Sequence, residues 1–182
     1  FNRQTGRSGA PAPEDEAWKQ WRRDQVTALL RKIYLTAMAV RPSVKVSCDT
    51  VNWSPAPLSD SGWTNARPYG EVLQDWRAWM EEGLLDLNIP MCYFRQYDAA
   101  QASDCASWCN FILDHQFNRQ AVIGLANHLN SVPDALAQMR LTRLPSSHDN
   151  PGSGLCAYCF KQTNKDGVPR AEFILPGEPL RL

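Results

Sequence analysis

The chain has 182 residues, of which 43% are hydrophobic, and its 19 Lys and Arg residues balance 19 Asp and Glu residues. This length and composition predict one globular domain with a sizeable core, and they exclude a disordered or fibrous chain. Because the charges cancel and no apolar run reaches the ~20 residues of a membrane helix, we expect neither a nucleic-acid partner nor a membrane span.

The first predicted elements are a long helix and a short strand. Residues 1–13 lack periodicity and predict a loop, whereas residues 14–40 predict a helix. The apolar residues that recur on one face of this helix are Val26, Leu29, Leu30, Ile33, Tyr34 and Ala37. We expect a solvated face for the basic residues Arg22, Arg23, Arg31, Lys32 and Arg41. A strand is predicted over 43–48, and residues 52–67 form a long connection, of a length that is commonly functional.

Helices and strands continue to alternate through the rest of the chain. Helices are predicted over residues 68–82, 104–116 and 133–139, and strands over residues 84–93, 120–127 and 154–160. Strict alternation predicts parallel strands joined by right-handed crossovers. A complete (β/α)8 barrel needs about 250 residues. This chain has four predicted strands and an opening helix whose own strand is missing, so it predicts the C-terminal portion of a TIM barrel.

The predicted domain organisation is therefore a loop over 1–13, a partial barrel over 14–161 and an extension over 162–182. A barrel portion that does not close leaves exposed strand edges. We therefore expect self-association through those edges, and a monodisperse monomer would argue against the half-barrel interpretation.

The six cysteines, which are Cys48, Cys92, Cys105, Cys109, Cys156 and Cys159, favour buried free thiols. Cys156 and Cys159 lie three apart in a predicted strand and point to opposite faces, which disfavours a shared metal. We expect no metal and no cofactor. A disulfide framework and a zinc-stabilised interaction domain are the alternatives.

Several short motifs follow one another along the chain. In order, they are Trp21-Arg22-Arg23-Asp24-Gln25-Val26, the strand 42–47, Gln74-Asp75-Trp76-Arg77-x-Trp79, Asp86-x3-Pro90-Met91-x-Tyr93, and Gly124-x5-Asn130 with Gln138. Together they resemble the glycosyl-hydrolase-like family ten barrels, over about residues 14–160. This resemblance implies a (β/α)8 barrel that acts on carbohydrate, in exported bacterial proteins, and hence a secreted, periplasmic or cell-envelope location. In such barrels an acidic, tyrosine-containing motif ends the strand before the first helix seen here, and that strand is absent from this sequence.

Glycosidases use two carboxylates across the scissile bond, so acidic residues at strand ends are the first candidates. Asp49 follows the first predicted strand by one residue and is the best-placed carboxylate, as an acid/base or as an acceptor from sugar hydroxyls. The alternative is that Asp49 caps the following loop. On that loop, Asn52 and Trp53 are candidate sugar contacts, because tryptophan packs on the apolar face of a pyranose.

The other strand ends supply further candidate substrate contacts. Met91, Tyr93 and Arg95 alternate with Cys92 and Phe94, so we expect one set to face the mouth of the barrel. The remaining candidates are Asn127, Asn130 and Tyr158, with Lys161 after the last strand and His128 as a weaker candidate base. Asp75 and Trp76, predicted within a helix, and Asp86, near a strand start, are interpreted as structural.

These observations predict a fragment of a glycoside hydrolase that uses carboxylate acid/base catalysis and is inactive alone, because the upstream acidic motif is missing. The alternative is a non-catalytic carbohydrate- or peptidoglycan-binding module whose aromatic loops hold a glycan without cleaving it.

Overall fold

The computed structural model describes residues 1–159 and 162–167. Lys161 and most of the predicted C-terminal extension lie outside these residues. The helices are α1 (Asn2–Thr5), α2 (Glu16–Val40), α3 (Arg67–Gly70), α4 (Trp76–Glu82), α5 (Ala99–Asp114) and α6 (Val132–Leu141). The strands are β1 (Ser47–Thr50), β2 (Leu87–Cys92), β3 (Gln120–Ala126) and β4 (Gly154–Tyr158). Two 3₁₀ helices cover Asp60–Asn65 and Asn127–Leu129.

The four strands form parallel pairs in the order β1-β2-β3-β4. Helices separate them along the chain, so the predicted α/β alternation is confirmed, and the arrangement is that of part of a TIM barrel. Because parallel strands align their carboxyl ends, the residues that follow β1, β2, β3 and β4 lie along one edge of the sheet.

The hydrophobic core lies between one face of the sheet and the helices. Along each strand alternate side chains enter this core, as the twofold period of a strand requires. Among the core side chains are Trp76, Trp79 and Met80 from α4, Trp108 and Ile112 from α5, and Cys92, Ile123 and Leu125 from the strands.

The intervening strand residues point to the opposite face, which we call the open face. Register pairs Asp49 with Ile89, Gly124 with Cys156 and Met91 with Gly124. Partners in a parallel ladder share a face, so the open face carries Asp49, Ile89, Met91, Val122, Gly124, Cys156 and Tyr158. Asp49, Cys156 and Tyr158 are exposed there, and Met91 is half-buried.

Helix α2 corrects two expectations. Its apolar stripe is largely uncovered, since Val26, Leu29 and Ile33 are exposed. By contrast Arg23, expected on a solvated face, is only 4% exposed. Its guanidinium donates to the Tyr69 carbonyl at 3.0 Å and lies 3.9 Å from the Tyr69 ring centroid. A buried cation loses its hydrating water, and here the aromatic ring and the carbonyl take the place of that water.

The helix predicted over 68–82 is two helices with a break between them. Leu73 has φ 64°, a left-handed conformation that a helix cannot continue through. Asp75 then caps α4, because its carboxylate accepts from the Ala78 N–H at 3.3 Å and from the Trp63 indole at 2.8 Å. Asp75 is therefore an N-cap rather than a mid-helix residue. At the other end, Gly83 closes α4 in a left-handed conformation with φ 80°.

Several further boundaries differ from the sequence-based expectation. Helix α5 begins at Ala99 rather than at residue 104, and β2 begins at Leu87 rather than at residue 84. The segment 1–13 contains α1, and Phe1 packs edge-on against Trp18 of α2 with ring centroids 5.2 Å apart. The first strand begins four residues later than predicted, at Ser47, so that Asp49 lies within β1 and not after it. The preceding Val46 instead accepts and donates hydrogen bonds with Asp86.

Candidate functional site

The candidate site occupies the open face near the carboxyl ends of β1, β2 and β4. The face is built by strand alternation, which directs Asp49, Met91 and Tyr158 to the same side of the sheet. Gly124 lies beside Met91, and a Cβ on it would meet the Pro90 carbonyl oxygen at 2.9 Å. Glycine at this position therefore lets β2 and β3 approach closely under the site.

Asp49 projects from the middle of β1 onto the open face. It is exposed, and no described residue donates a hydrogen bond to its carboxylate. The loop-capping alternative therefore finds no support in the described residues. An exposed carboxylate without a protein donor can accept hydrogen bonds from ligand hydroxyls or exchange a proton with a ligand.

Three aromatic side chains meet at the ends of β2, β3 and β4. The Tyr93 and Tyr158 rings are stacked, with centroids 5.3 Å apart and planes 24° apart. The His128 ring stands edge-on to both, at 6.4 Å from Tyr93 and 5.7 Å from Tyr158. Tyr158 is 47% exposed, so this aromatic cluster offers a ring face to a ligand.

The surroundings of Tyr93 hold its phenol protonated. Burial first of all, and then the negative charges of Asp49 and Tyr158, raise the pKa of Tyr93 to about 12. The shift also indicates that Asp49 acts on the aromatic cluster electrostatically. The protonated Tyr93 phenol supplies a donor and the Asp49 carboxylate an acceptor on the same side of the sheet, and a sugar hydroxyl can use both kinds of partner.

Three more predicted contacts lie at the same edge of the sheet. Trp53 is 46% exposed on the loop after β1, with the Arg67 guanidinium 5.6 Å from its ring centroid. Arg95 is exposed after β2. Asn127 and His128 are half-buried, and Asn127 Oδ1 and His128 Nδ1 are buried atoms without hydrogen-bond partners among the described residues.

Asn52 and Asn130, by contrast, are completely buried at 0% exposure. The Asn52 amide contacts the Cys92 sulfur at 2.8 Å. Asn130 donates to the Phe94 carbonyl at 3.0 Å and accepts from the Gln96 N–H at 2.7 Å. Both side chains have strand-end positions but point into the protein, so we leave them out of the proposed glycan contacts.

Asp86 lies at the opposite end of the sheet. Its carboxylate accepts from the Val46 N–H at 2.9 Å and from Lys45 at 3.3 Å, and Arg119 is 3.5 Å away. These contacts join the segment before β1 to the start of β2 and β3. Their geometry supports the structural role that the sequence predicted for Asp86.

The cysteines are all free among the described residues. Cys92, Cys105 and Cys109 are buried as predicted, and a hydrogen bond to Cys109, together with burial, holds the pKa of the Cys105 thiol above its usual range. Cys156 is exposed on the open face, contrary to expectation. Within residues 1–159 and 162–167, no three His, Cys, Asp or Glu side chains are grouped to hold a metal ion.

Two features of the site were underrated or missed in the sequence. His128 was a weak candidate, because the sequence around a lone histidine does not show which rings it will contact. Cys156 was expected to be buried, although the twofold alternation through Cys156 and Tyr158 already put both on one face.

Comparison with known proteins gives one family and several relatives. A model of the glycosyl hydrolase-like 10 family matches residues 1–138. Glycosyl hydrolase YngK of Bacillus subtilis (strain 168) is 31% identical over 93 residues, covering 48% of this chain and 18% of the relative. Glycosyl hydrolase DigH of Escherichia coli (strain K12) is 32% identical over 93 residues, covering 48% of this chain and 21% of the relative.

The matched stretch therefore spans about a fifth of the length of each relative. In the described part of the chain, no helix is long and apolar enough to cross a membrane.

Proposed function

Because the chain belongs to the glycosyl hydrolase-like 10 family, we propose that it contributes one wall of a carbohydrate site and takes part in hydrolysis of a glycosidic bond. The observation that carries this proposal is the stacked Tyr93–Tyr158 pair on the same side of the sheet as the exposed Asp49. Aromatic rings bind the apolar faces of sugars, and a carboxylate binds or protonates their oxygens. Both relatives are named glycosyl hydrolases, which supports the same chemistry.

In the proposed site, Tyr158 packs against a sugar ring and the Tyr93 phenol donates to a ring substituent. Asp49 serves as the acid/base group or accepts from a sugar hydroxyl. Trp53, Met91, Arg95 and Asn127 complete the contacts. Arg95 would favour a substrate with an acidic group near the end of β2.

Hydrolysis by this mechanism needs a second carboxylate across the scissile bond. Among the described strand residues, Asp49 is the only carboxylate on the open face. Asp98, after β2, is occupied as the N-cap of α5, where the Gln101 N–H lowers its pKa. We therefore expect the isolated chain to bind glycan without cleaving it, and we place the second carboxylate outside the described residues.

The binding part of this proposal is tested by titrating the chain with oligosaccharides in a calorimeter. Tyr158→Ala should weaken binding by about tenfold, since it removes an aromatic face worth roughly 1–1.5 kcal/mol. Tyr97→Ala is the matched control, because Tyr97 is 56% exposed on a neighbouring loop and outside the cluster. Equal affinities for both variants and the unchanged chain would contradict the proposed site.

The catalytic part is tested by measuring new reducing ends with the same oligosaccharides. The isolated chain should release none, and clear turnover would overturn the prediction of inactivity. In a polypeptide as long as the relatives, Asp49→Asn should reduce kcat by about a hundredfold or more if Asp49 is the acid/base. An unchanged kcat would leave Asp49 as a residue without a chemical role.

A second candidate function is a non-catalytic carbohydrate- or peptidoglycan-binding module. It is favoured by the combination of an aromatic platform with a single open-face carboxylate. Glycan affinity without any turnover in a polypeptide as long as the relatives would support this function over hydrolysis.

We also propose self-association through uncovered surfaces. The sheet ends in two strands, β1 and β4, that each pair on one side in the described residues, and α2 exposes Leu29 and Ile33. Exposed strand edges and apolar faces promote pairing. Light scattering after size exclusion should detect dimers or larger species, whereas a stable monomer would contradict this proposal.

For location we propose export to the cell envelope or beyond, where a glycan substrate would be met. The family resemblance supports this location. Fractionation of cells that express a polypeptide as long as the relatives tests it, and recovery in the cytosol alone would refute it.

A further inference from the structure

A cavity lies on the helix side of the molecule, away from the open face of the sheet. It has a volume of about 450 Å³ and is bounded by the segment 57–60, the C-terminal half of α5 and residues 147–148. None of its lining residues belongs to the aromatic cluster at the strand ends. Its volume falls within the range of about 300–1,000 Å³ that is typical of small-molecule sites. We call it the outer pocket.

Two carboxylates on the walls of the outer pocket are held in place by hydrogen bonds. Asp60 accepts from His115 Nε2 at 2.8 Å and from Arg77 at 3.2 Å. Asp114 lies 2.8 Å from His148 Nδ1. The side chains of Asp60 and His148 nevertheless remain 73% and 75% exposed, so each retains polar atoms that a ligand can reach.

The apolar part of the lining is presented in an unusual way. Leu58 is fully exposed at the rim. Phe117 is half-buried and has φ 49°, and Asn118 follows with φ 61°. A left-handed conformation is unfavourable for a bulky residue such as phenylalanine. Strained backbone of this kind persists only where the surrounding structure holds it, and it is often found at functional sites. Here the strained residue, Phe117, lies in the lining of the outer pocket.

The charges of the lining select the class of ligand. Asp60 is paired with Arg77 and His115, and Asp114 with His148, so both carboxylates of the lining already have a polar partner in the protein. The remaining chemistry is a mixture of fixed acceptors and donors with an aromatic and an aliphatic side chain. Sugar hydroxyls both donate and accept, and a pyranose ring offers an apolar face.

We propose that the outer pocket binds an uncharged sugar unit of a glycan, as a site separate from the strand ends. The proposal does not depend on hydrolysis at Asp49 or on binding at Tyr158. A polymeric glycan that occupied both the outer pocket and the strand-end site would bind with higher avidity than a glycan at either site alone.

The test is an NMR titration of the ¹⁵N-labelled chain with three uncharged oligosaccharides, cellohexaose, xylohexaose and chitohexaose. Saturable shifts are expected at the amides of Ser107, Asn110, Phe117 and Ser147 with at least one of them. Leu58→Glu should weaken that binding by about tenfold or more, because it replaces apolar rim surface with a carboxylate near Asp60. The native Leu58 side chain is fully exposed, so this change leaves the fold intact.

Phe117→Gly provides a second variant with an independent physical basis. Glycine adopts the left-handed conformation freely, so the change removes the ring and relieves strain together. It should lose binding, and because Phe117 also packs against the hydrophobic core its stability should fall, whereas Leu58→Glu at a fully exposed position keeps the folded spectrum. Tyr158→Ala is the control at the strand ends and should leave the outer-pocket shifts unchanged.

Three results would overturn the proposal. These are no saturable shift with any of the three sugars, unchanged affinity in Leu58→Glu, or shifts confined to residues near Tyr93 and Tyr158. The last result would support the strand-end site while refuting the outer pocket, so the two proposals fail separately.

Discussion

Asn130 joins three elements at the carboxyl end of the sheet, and replacing it with alanine should strongly destabilise the chain. Its amide nitrogen donates to the Phe94 and Ala126 carbonyls at 3.0 and 3.3 Å, and the Gln138 Oε1 atom is 3.2 Å away. Its Oδ1 accepts from the Gln96 N–H at 2.7 Å. The side chain thereby links the ends of β2 and β3 to α6.

The magnitude follows from what alanine leaves behind. The Phe94 carbonyl keeps a donor, because Gln138 Nε2 also donates to it at 3.1 Å. The buried Gln138 Oε1 loses its donor, which costs about 1–3 kcal/mol for a buried group, and the hydrogen bonds to the Ala126 carbonyl and from the half-buried Gln96 N–H add about 0.5–1.5 kcal/mol each. The free energy of unfolding should therefore fall by about 2–6 kcal/mol, a large part of the stability of a typical domain.

Urea unfolding followed by tryptophan fluorescence measures this change. Asn127→Ala is the matched control, because Asn127 is half-buried and its Oδ1 has no partner among the described residues. The control should change the free energy of unfolding by less than about 0.5 kcal/mol. If Asn130→Ala were equally mild, the network around Asn130 would not be what holds the strand ends together.

Two further predictions address packing and pH. Gly124→Ala should lower the free energy of unfolding by about 1–3 kcal/mol, because the new Cβ meets the Pro90 carbonyl oxygen at 2.9 Å. Gly70→Ala is its control, with the nearest atom at 3.8 Å, and equal urea midpoints for the two variants would refute the steric argument. A hydrogen bond to Asp114 raises the pKa of His148, so its contribution to stability is fully present below about pH 6.5 and is lost as the pH rises through the raised value. The melting temperature of His148→Ala should accordingly lie further below that of the unchanged chain at about pH 6 than at about pH 9, and a pH-independent difference would count against the ion pair.

Several residues that carry the family resemblance have structural contacts in the fold. Gln74 accepts from the Val51 N–H at 2.8 Å and so connects the segment before α4 to the end of β1. Asp75 caps α4, and Trp76 is completely buried. Asn130 and Gln138 are linked directly. These residues of the family motifs thus make structural contacts around the strand ends.

Local patterns in the sequence were sufficient for the alternation of helices and parallel strands. The strand 120–127 and the last strand were predicted to within one or two residues. A short run of apolar residues between polar segments is typical of a buried strand. The break before α4 was not predicted, since a left-handed Leu73 carries no sequence signal. Asp75 was predicted to lie within one continuous helix because of the surrounding apolar pattern, whereas it is the N-cap of α4.

The candidate site shows the same division between sequence and structure. Alternation placed Met91 and Tyr93 on one face in advance. It could not distinguish Asn127 from Asn130, because both follow the same strand, and only the direction of each side chain separates a half-buried residue from one that is completely enclosed.

The amino-acid sequence by itself determined the α/β class, the family and the end of the sheet at which polar side chains collect. Those properties depend on the local period of apolar residues and on short motifs, which are readable without contacts. Only the tertiary structure decided that Arg23 is buried under Tyr69, that Tyr93, Tyr158 and His128 form one aromatic cluster, and that an outer pocket forms beside Phe117. Each of these depends on side chains from segments far apart in the chain, and their meeting is set by packing and not by any local pattern.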